Sequence, residues 1–183
     1  MRPPINRLRN AEMAALLTLE AQGVVLRPLE LSDAGALHLA HRDPDTHHFW
    51  SSPAHTSVQQ TEVYIGDTLA MKGAHVWAIT ESGGEALGRI ALFVQREGVG
   101  EIGVIIRRDA QGRGLASKAL NLVTAYGFDQ LALHRLYGDI DPDNNASISL
   151  FLRVGYAREA LLRGNWKTHL GVRDSVIMAK LRT

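Results

Sequence analysis

Residues 104–116 read Val-Ile-Ile-Arg-Arg-Asp-Ala-Gln-Gly-Arg-Gly-Leu-Ala: an apolar strand that passes through two glycines into a long amphipathic helix. This junction constrains the fold more than any other stretch, because a buried strand feeding a helix commits the chain to packed α/β layers. In the first turn of a helix the backbone N–H groups lack intrahelical partners and sit at the positive end of the dipole. Gly112 and Gly114 put no Cβ between those groups and an incoming anion, so the turn suits a phosphate or pyrophosphate. The same glycines also serve a ligand-free tight turn, and the spacing alone leaves both readings open.

Two phosphate-binding patterns can be tested directly. A P-loop needs Gly immediately before its Lys; here Ser117 precedes Lys118, so that pattern fails. A dinucleotide fingerprint tolerates Ser117 as its third small residue, and Asp139 could serve as the ribose acid. That motif, however, belongs to the first strand–helix unit of its domain, whereas about 100 residues precede it here.

Those preceding residues read as a different architecture. Val24 to Arg27 forms a strand, Ser32 and Asp33 cap a helix carrying Leu37 and Leu39, and Ser57 starts a second helix that ends at Gly73. His47 to Thr56 is a loop. Strands at His75–Thr80, Leu87–Gln95 and Glu101–Arg107, joined by Gly83-Gly84 and Glu97-Gly98 turns, form an antiparallel meander. A helix from Gly114 to Gln130, a strand at Arg135–Ile140, a helix at Ala146–Val154 and strands at Tyr156–Arg163 and Val172–Leu181 complete the chain. The fold class is α/β (α+β): a mixed central sheet, meander first and strand–helix–strand units after, with helices on both faces. At 183 residues this is one domain, residues 23–183, preceded by a residue 1–22 extension in which Leu8, Ala11, Ala15, Leu16 and Leu19 suggest a short helix.

Composition removes several function classes. A net charge of +1 supplies no field for nucleic acid or an anionic membrane. No uninterrupted apolar run exceeds five residues, Ile90 to Val94 being one, against the ~20 of a membrane helix, and no secretory signal opens the chain. With no cysteine there is no disulfide, thiolate metal site or catalytic thiol. His38, His41, His47, His48 and His55 show no H-E-x-x-H spacing; a pair at i, i+3 on a surface helix is a weak metal signal, and no metal is expected. His75 and His134 read as structural residues at strand starts.

Gln111-x-x-Gly114-x-Ala116 after a strand resembles the pyrophosphate loop of the GNAT N-acetyltransferases. Glu101-Ile102-Gly103-Val104, Tyr126-Gly127-Phe128, Leu133-His134-Arg135-Leu136, Asn144-Asn145-Ala146-Ser147 and Val154-Gly155-Tyr156 extend the likeness to the RimJ/RimL-like branch, as do Leu26-Arg27-Pro28-Leu29 and Ser32-Asp33-Ala34. The resemblance implies acetyl-CoA as cosubstrate, lying between two splayed parallel strands, 101–107 and 135–140. It implies pantetheine pairing at Val104, Ile105 and Ile106, and pyrophosphate binding at Gln111, Gly112, Arg113, Gly114, Ala116 and Ser117. Asn144 and Ser147 match positions that contact the thiol end, although Asn144 also reads as a plain helix cap. It further implies a cytoplasmic protein, and homodimers are frequent among such proteins.

The acceptor amine must attack unprotonated. Deprotonation at pH 7 costs about 1 kcal/mol for an α-amine and about 4–5 for a lysine, so a base helps. The resemblance places that base at Glu101, at the start of the central strand. Many GNAT members use a tyrosine as the acid, four residues before the glycine that here is Gly155; Phe151 stands there, which leaves Ser147, a water or an unassisted thiolate. Arg89, Arg96, Arg107, Arg108 and Arg113 are candidates for the CoA 3′-phosphate, Arg113 foremost. Phe49, Trp50, Tyr64 and Trp166 are candidate acceptor walls. The expected activity is direct acetyl transfer to a primary amine, a protein N-terminus or a small molecule. The alternatives are a CoA-binding module without catalysis and an NAD-binding protein.

Overall fold

The computed structural model describes residues 16–21 and 23–183. Eight strands form one sheet in the order β1-β2-β3-β4-β5-β6-β8-β7. In chain order they are β1 (Leu19–Ala21), β2 (Val24–Pro28), β3 (Ala74–Thr80), β4 (Gly88–Arg96), β5 (Val99–Ile106), β6 (Arg135–Ile140), β7 (Ala157–Thr168) and β8 (Gly171–Leu181). The helices are α1 (Ala34–His41), α2 (Pro44–His47), α3 (Val58–Ala70), α4 (Leu115–Asp129) and α5 (Asn145–Arg153). β1 to β5 run antiparallel to their neighbours, and β5 and β6 are parallel. That order removes the NAD reading, which needs parallel strands from the start.

Strand alternation sorts the core onto two faces. Trp77, Ile79, Ile90, Leu92, Ile102 and Ile106 meet Leu115, Ala119, Leu120 and Val123 of α4 and Leu150 and Phe151 of α5. Val76, Ala78 and Ala91 point the other way, onto Leu37 of α1 and Ile65 of α3. Helices therefore cover both faces. Ser57 starts α3 as expected, its Oγ accepting the Gln60 N–H at 3.2 Å. No helix among the described residues is long and apolar enough to cross a membrane.

Three local expectations need correction. The helix drawn through Leu8, Ala11 and Ala15 lies outside the described residues, but Leu16 and Leu19 are not helical. Leu19–Ala21 pairs with β2, and the Leu17 carbonyl accepts the Trp77 indole N–H at 2.8 Å, so sheet pairing overrides the local pattern. Asp33 precedes α1 without capping it: its carboxylate is taken by the Arg27 guanidinium, at 2.9 and 2.6 Å, and by the Glu30 N–H at 3.0 Å. His38 and His41 are buried rather than on a helix surface. The short α2, absent from the sequence reading, starts where Asp43 accepts the Asp45 and Thr46 N–H groups with Pro44 at the first position.

Candidate active site

The site begins where β5 and β6 part. They pair only through Val99–Arg135, Gly100–Leu136 and Glu101–Tyr137; beyond that β6 pairs with β8 alone. From Ile102 onward the β6-facing edge of β5 has no strand beside it, which leaves backbone groups open to an extended ligand. The wedge opens into a cleft of about 550 Å3. Val104, Ile105 and Ile106 line one wall, and Asn144, Ala146, Ser147 and Leu150 the other.

At the mouth stands the glycine turn. Gly112 and Gly114 both have φ +76°, where an L side chain is strained, and a Cβ on either would meet nothing within 4 Å. The glycines are thus required by backbone conformation, and the space above them is open. Gly114 is the N-cap of α4 and offers no side-chain acceptor to the helix's first N–H groups. Gln111 Nε2 donates to the Ile106 carbonyl at 3.1 Å, tying the turn to the strand. Gln111, Gly112, Gly114, Ala116 and Ser117 line the cleft.

Arg113 does not line it; its guanidinium is paired with Glu81. Arg107 is held by Asp109 and Glu85. The cations at the cleft are Arg108, paired with Asp43 and Asp45, and Arg153, which donates to Ser117 Oγ at 3.2 Å. Sequence reasoning missed Arg153. Its position seven residues after Ala146, near the end of α5, was the available signal, since α5 begins at the cleft.

The parting point itself carries Glu101, the third residue of β5 rather than its first. Half-buried, it accepts the Tyr137 hydroxyl at 3.0 Å and the Gln95 amide at 3.0 Å. Burial raises its pKa and the Asp139 charge adds to the rise, while the Tyr137 and Gln95 hydrogen bonds oppose it. Tyr137 is pushed up to about 12, chiefly by burial and then by the Glu101 charge, so it stays a donor. Glu101 lies beyond the cleft's inner end and adjoins a depression of about 380 Å3 through Gln95 and Tyr137.

Asn144 Oδ1 accepts the Ser147 N–H at 3.0 Å, so it does cap α5 while lining the cleft. Phe151 is 1% exposed and packs edge-on against Tyr156; its ring occupies the room that a Cβ on Gly138 would need, 2.6 Å away. The Tyr156 hydroxyl is bonded to Thr124, 2.7 Å away. Phe49 and Trp50 line the cleft; Tyr64 and Trp166 do not. Trp166 sits in β7, 48% exposed, its indole N–H donating to Asp139 at 2.9 Å.

A splayed parallel strand pair, an unpaired strand edge and an uncapped, glycine-led helix start define a site for a nucleotide thioester, that of a CoA-dependent acyltransferase. Residues 24–157 match the model of the acetyltransferase (GNAT) domain, and the chain belongs to that family. It is 30% identical over 152 residues to N-acetyltransferase p20 of Bacillus licheniformis, an uncharacterized protein, covering 80% of this chain and 85% of the relative. It is also 30% identical over 147 residues to the spermidine N(1)-acetyltransferase of Escherichia coli K12, covering 78% and 77%. A GNAT-family acetyltransferase from Bacillus anthracis has the same fold, with TM-score 0.81, 21% identity, and 90% and 98% coverage. So does the Vibrio cholerae spermidine N-acetyltransferase solved with CoA and spermine, with TM-score 0.75, 20% identity, and 87% and 95% coverage. The protein is an N-acetyltransferase that moves the acetyl group of acetyl-CoA to an amine; a CoA-binding module without catalysis is not favoured.

Proposed function

We propose that transfer is direct, within a ternary complex, and that Glu101 is the general base. The observation that carries this reading is the parting of β5 and β6 immediately after the Glu101–Tyr137 pair, which sets a carboxylate of raised pKa at the apex of the wedge. A carboxylate whose pKa is raised toward the working pH takes up the amine proton more readily than an ordinary one, which favours its role as the base. Along Val104, Ile105 and Ile106 the backbone N–H groups alternate between β4 and the open β5 edge, and those on the open edge serve the pantetheine and the oxyanion of the tetrahedral intermediate. The amides of Gly112, Arg113, Gly114, Ala116 and Ser117, with Gln111 bracing the turn, hold the pyrophosphate. Arg153 is closer to a phosphate role than Arg113, whose charge is already matched.

Asn144 orients the start of α5 and Ser147 returns a proton to the departing CoA sulfur, the hydroxyl that Phe151 lacks. The chain has no cysteine to carry an acetyl group, which supports attack by the amine itself on the thioester. The acceptor is a primary amine, a protein N-terminus as in the RimJ/RimL-like branch or a small molecule, entering past Phe49, Trp50 and Trp166. The chemistry needs no metal. A cytoplasmic, homodimeric enzyme with no nucleic acid or membrane partner completes the reading. Isothermal titration with CoA tests the foundation, and no binding at millimolar concentration overturns it. Acetyl transfer across N-terminal peptides, polyamines, aminoglycosides and amino acids then defines the acceptor.

A further inference from the structure

On the α1–α3 face of the sheet, beside the cleft, lies a polar cluster that none of these steps uses. Arg89 of β4 is 2% exposed, and no carboxylate pairs with it among the described residues. Its guanidinium stands 5.2 Å from the Trp50 ring centroid and 5.0 Å from that of Tyr64, and it donates to the Tyr64 hydroxyl. His47 stacks on Trp50, His41 stacks on His55, and His41 Nδ1 lies 3.3 Å from His47 Nδ1. Among the described residues only two buried side-chain nitrogens or oxygens lack a partner, His41 Nε2 and Arg89 Nε, and both belong to this cluster.

The ligand atoms of His41, His47 and His55 lie within 4.8 Å of one another, which raises the question of a metal ion. Two features oppose it. The His41 and His55 rings are stacked only 11° from parallel, so their planes meet only well outside both rings and one ion cannot lie in both planes at bonding distance, as ligation requires. Arg89 also places a permanent cation against the same rings. Burial, followed by Arg89 and the neighbouring histidines, holds His41 down to about 2; burial first, with His55, His169 and Arg89, holds His47 to about 4. The cluster's only charge at neutral pH is therefore the arginine's. If His47 Nδ1–H donates to His41 Nδ1, the His41 proton sits on Nε2. The two orphan atoms are then both donors, next to a buried positive charge without a counter-ion. Such a site calls for an anion.

Its position says which anion. Arg89 is the cross-strand partner of Ile105, and Ile105 and Trp50 line the cleft. Glu101 lies four residues earlier on β5, on the same face and about 13 Å along the strand. We infer that Arg89, with His41, receives a carboxylate of the acceptor, so that the amines this enzyme acetylates are amino-acid-like rather than polyamines. A polycation would instead meet an unmatched buried cation. This inference rests on the acetyl-transfer reading above.

The test measures CoA release for matched acceptors: glycine, β-alanine, 4-aminobutyrate and 6-aminohexanoate against methylamine, ethylamine, propylamine and pentylamine, with phenylalanine against phenethylamine, and spermidine. The wild-type enzyme is expected to favour at least one amino acid over its amine by tenfold or more in kcat/KM. Arg89→Met is expected to bring that ratio close to one, while Arg89→Lys, which keeps the charge, retains part of it. If Arg89→Met does not fold, the wild-type and Arg89→Lys ratios decide. Ratios near one in the wild type, or spermidine as the better substrate, overturn the inference. CoA binding with no turnover of any amino acid also overturns it, whereas failure to bind CoA overturns the acetyl-transfer reading instead.

Discussion

Replacing Gly114 with alanine separates the two duties of the glycine turn, because a matched control exists elsewhere in the chain. Gly114 and Gly23 have φ values of +76° and +75°, and in each case a Cβ would meet nothing within 4 Å. Alanine at either position therefore brings the same conformational strain, about 1–2 kcal/mol, and no clash. For a chain of this length that lowers the melting temperature by about 2–8 °C in both variants. Only at Gly114 does the new methyl group enter the space above the α4 amides. Loss of one charge-assisted hydrogen bond there removes about 1.5–3 kcal/mol of CoA affinity, about 10- to 150-fold. Thermal melts give the first quantity and calorimetric CoA titration the second. Equal CoA affinity in the two variants would refute the phosphate cradle; unequal loss of stability would refute the strain argument.

Four further outcomes are expected. Glu101→Gln lowers kcat by about 10²–10⁴-fold with CoA affinity retained. Because the Glu101 pKa is raised, the acidic limb of kcat lies above the ordinary carboxylate range; Tyr137→Phe, which removes a hydrogen bond favouring the carboxylate, moves that limb to higher pH. Asp33→Asn destabilises by about 3 kcal/mol, since it breaks a nearly buried pair with Arg27. Burial pushes the Asp33 carboxyl up, but the Arg27 and Glu30 hydrogen bonds hold it below its ordinary value. Its contribution is thus full above the unfolded pKa near 4 and lost as pH falls through the lower folded value, so chemical denaturation of variant and parent converges in acid. Trp166→Ala raises the acceptor KM and leaves CoA affinity unchanged, because its contact is with Asp139 rather than with the cleft.

The parts legible in the sequence were those written locally. Gly98 and Gly83 mark turns, Ser57 and Asn144 cap helices through their own side chains, and the Val104–Ala116 junction gives the strand, turn and helix in one stretch. The parts that were not legible depend on distant partners. Asp33 carries a cap's identity but answers to Arg27, six residues away on a strand. Arg113 has the right address for a phosphate and is claimed by Glu81, thirty-two residues earlier. The histidines looked scattered because α1, α2 and the loop before α3 converge only in three dimensions. Trp166 and Glu101 share a face through β6, a relation that no spacing in the chain records.

The three residue pairs joining β5 to β6 have a mechanical consequence. The sheet is two blocks, β1–β5 and β6–β8–β7, sharing one short seam, with α4 packed across both. A pantetheine chain laid along the open edge becomes the missing rungs of that ladder, so cosubstrate binding and folding share one free energy. At a hundred times its dissociation constant the thioester adds about 2.7 kcal/mol of resistance to unfolding. Amide hydrogen exchange along Ile102–Ile106 and Gly138–Ile140 then slows as acetyl-CoA rises. The stability of the seam thereby follows the supply of the cosubstrate that completes it.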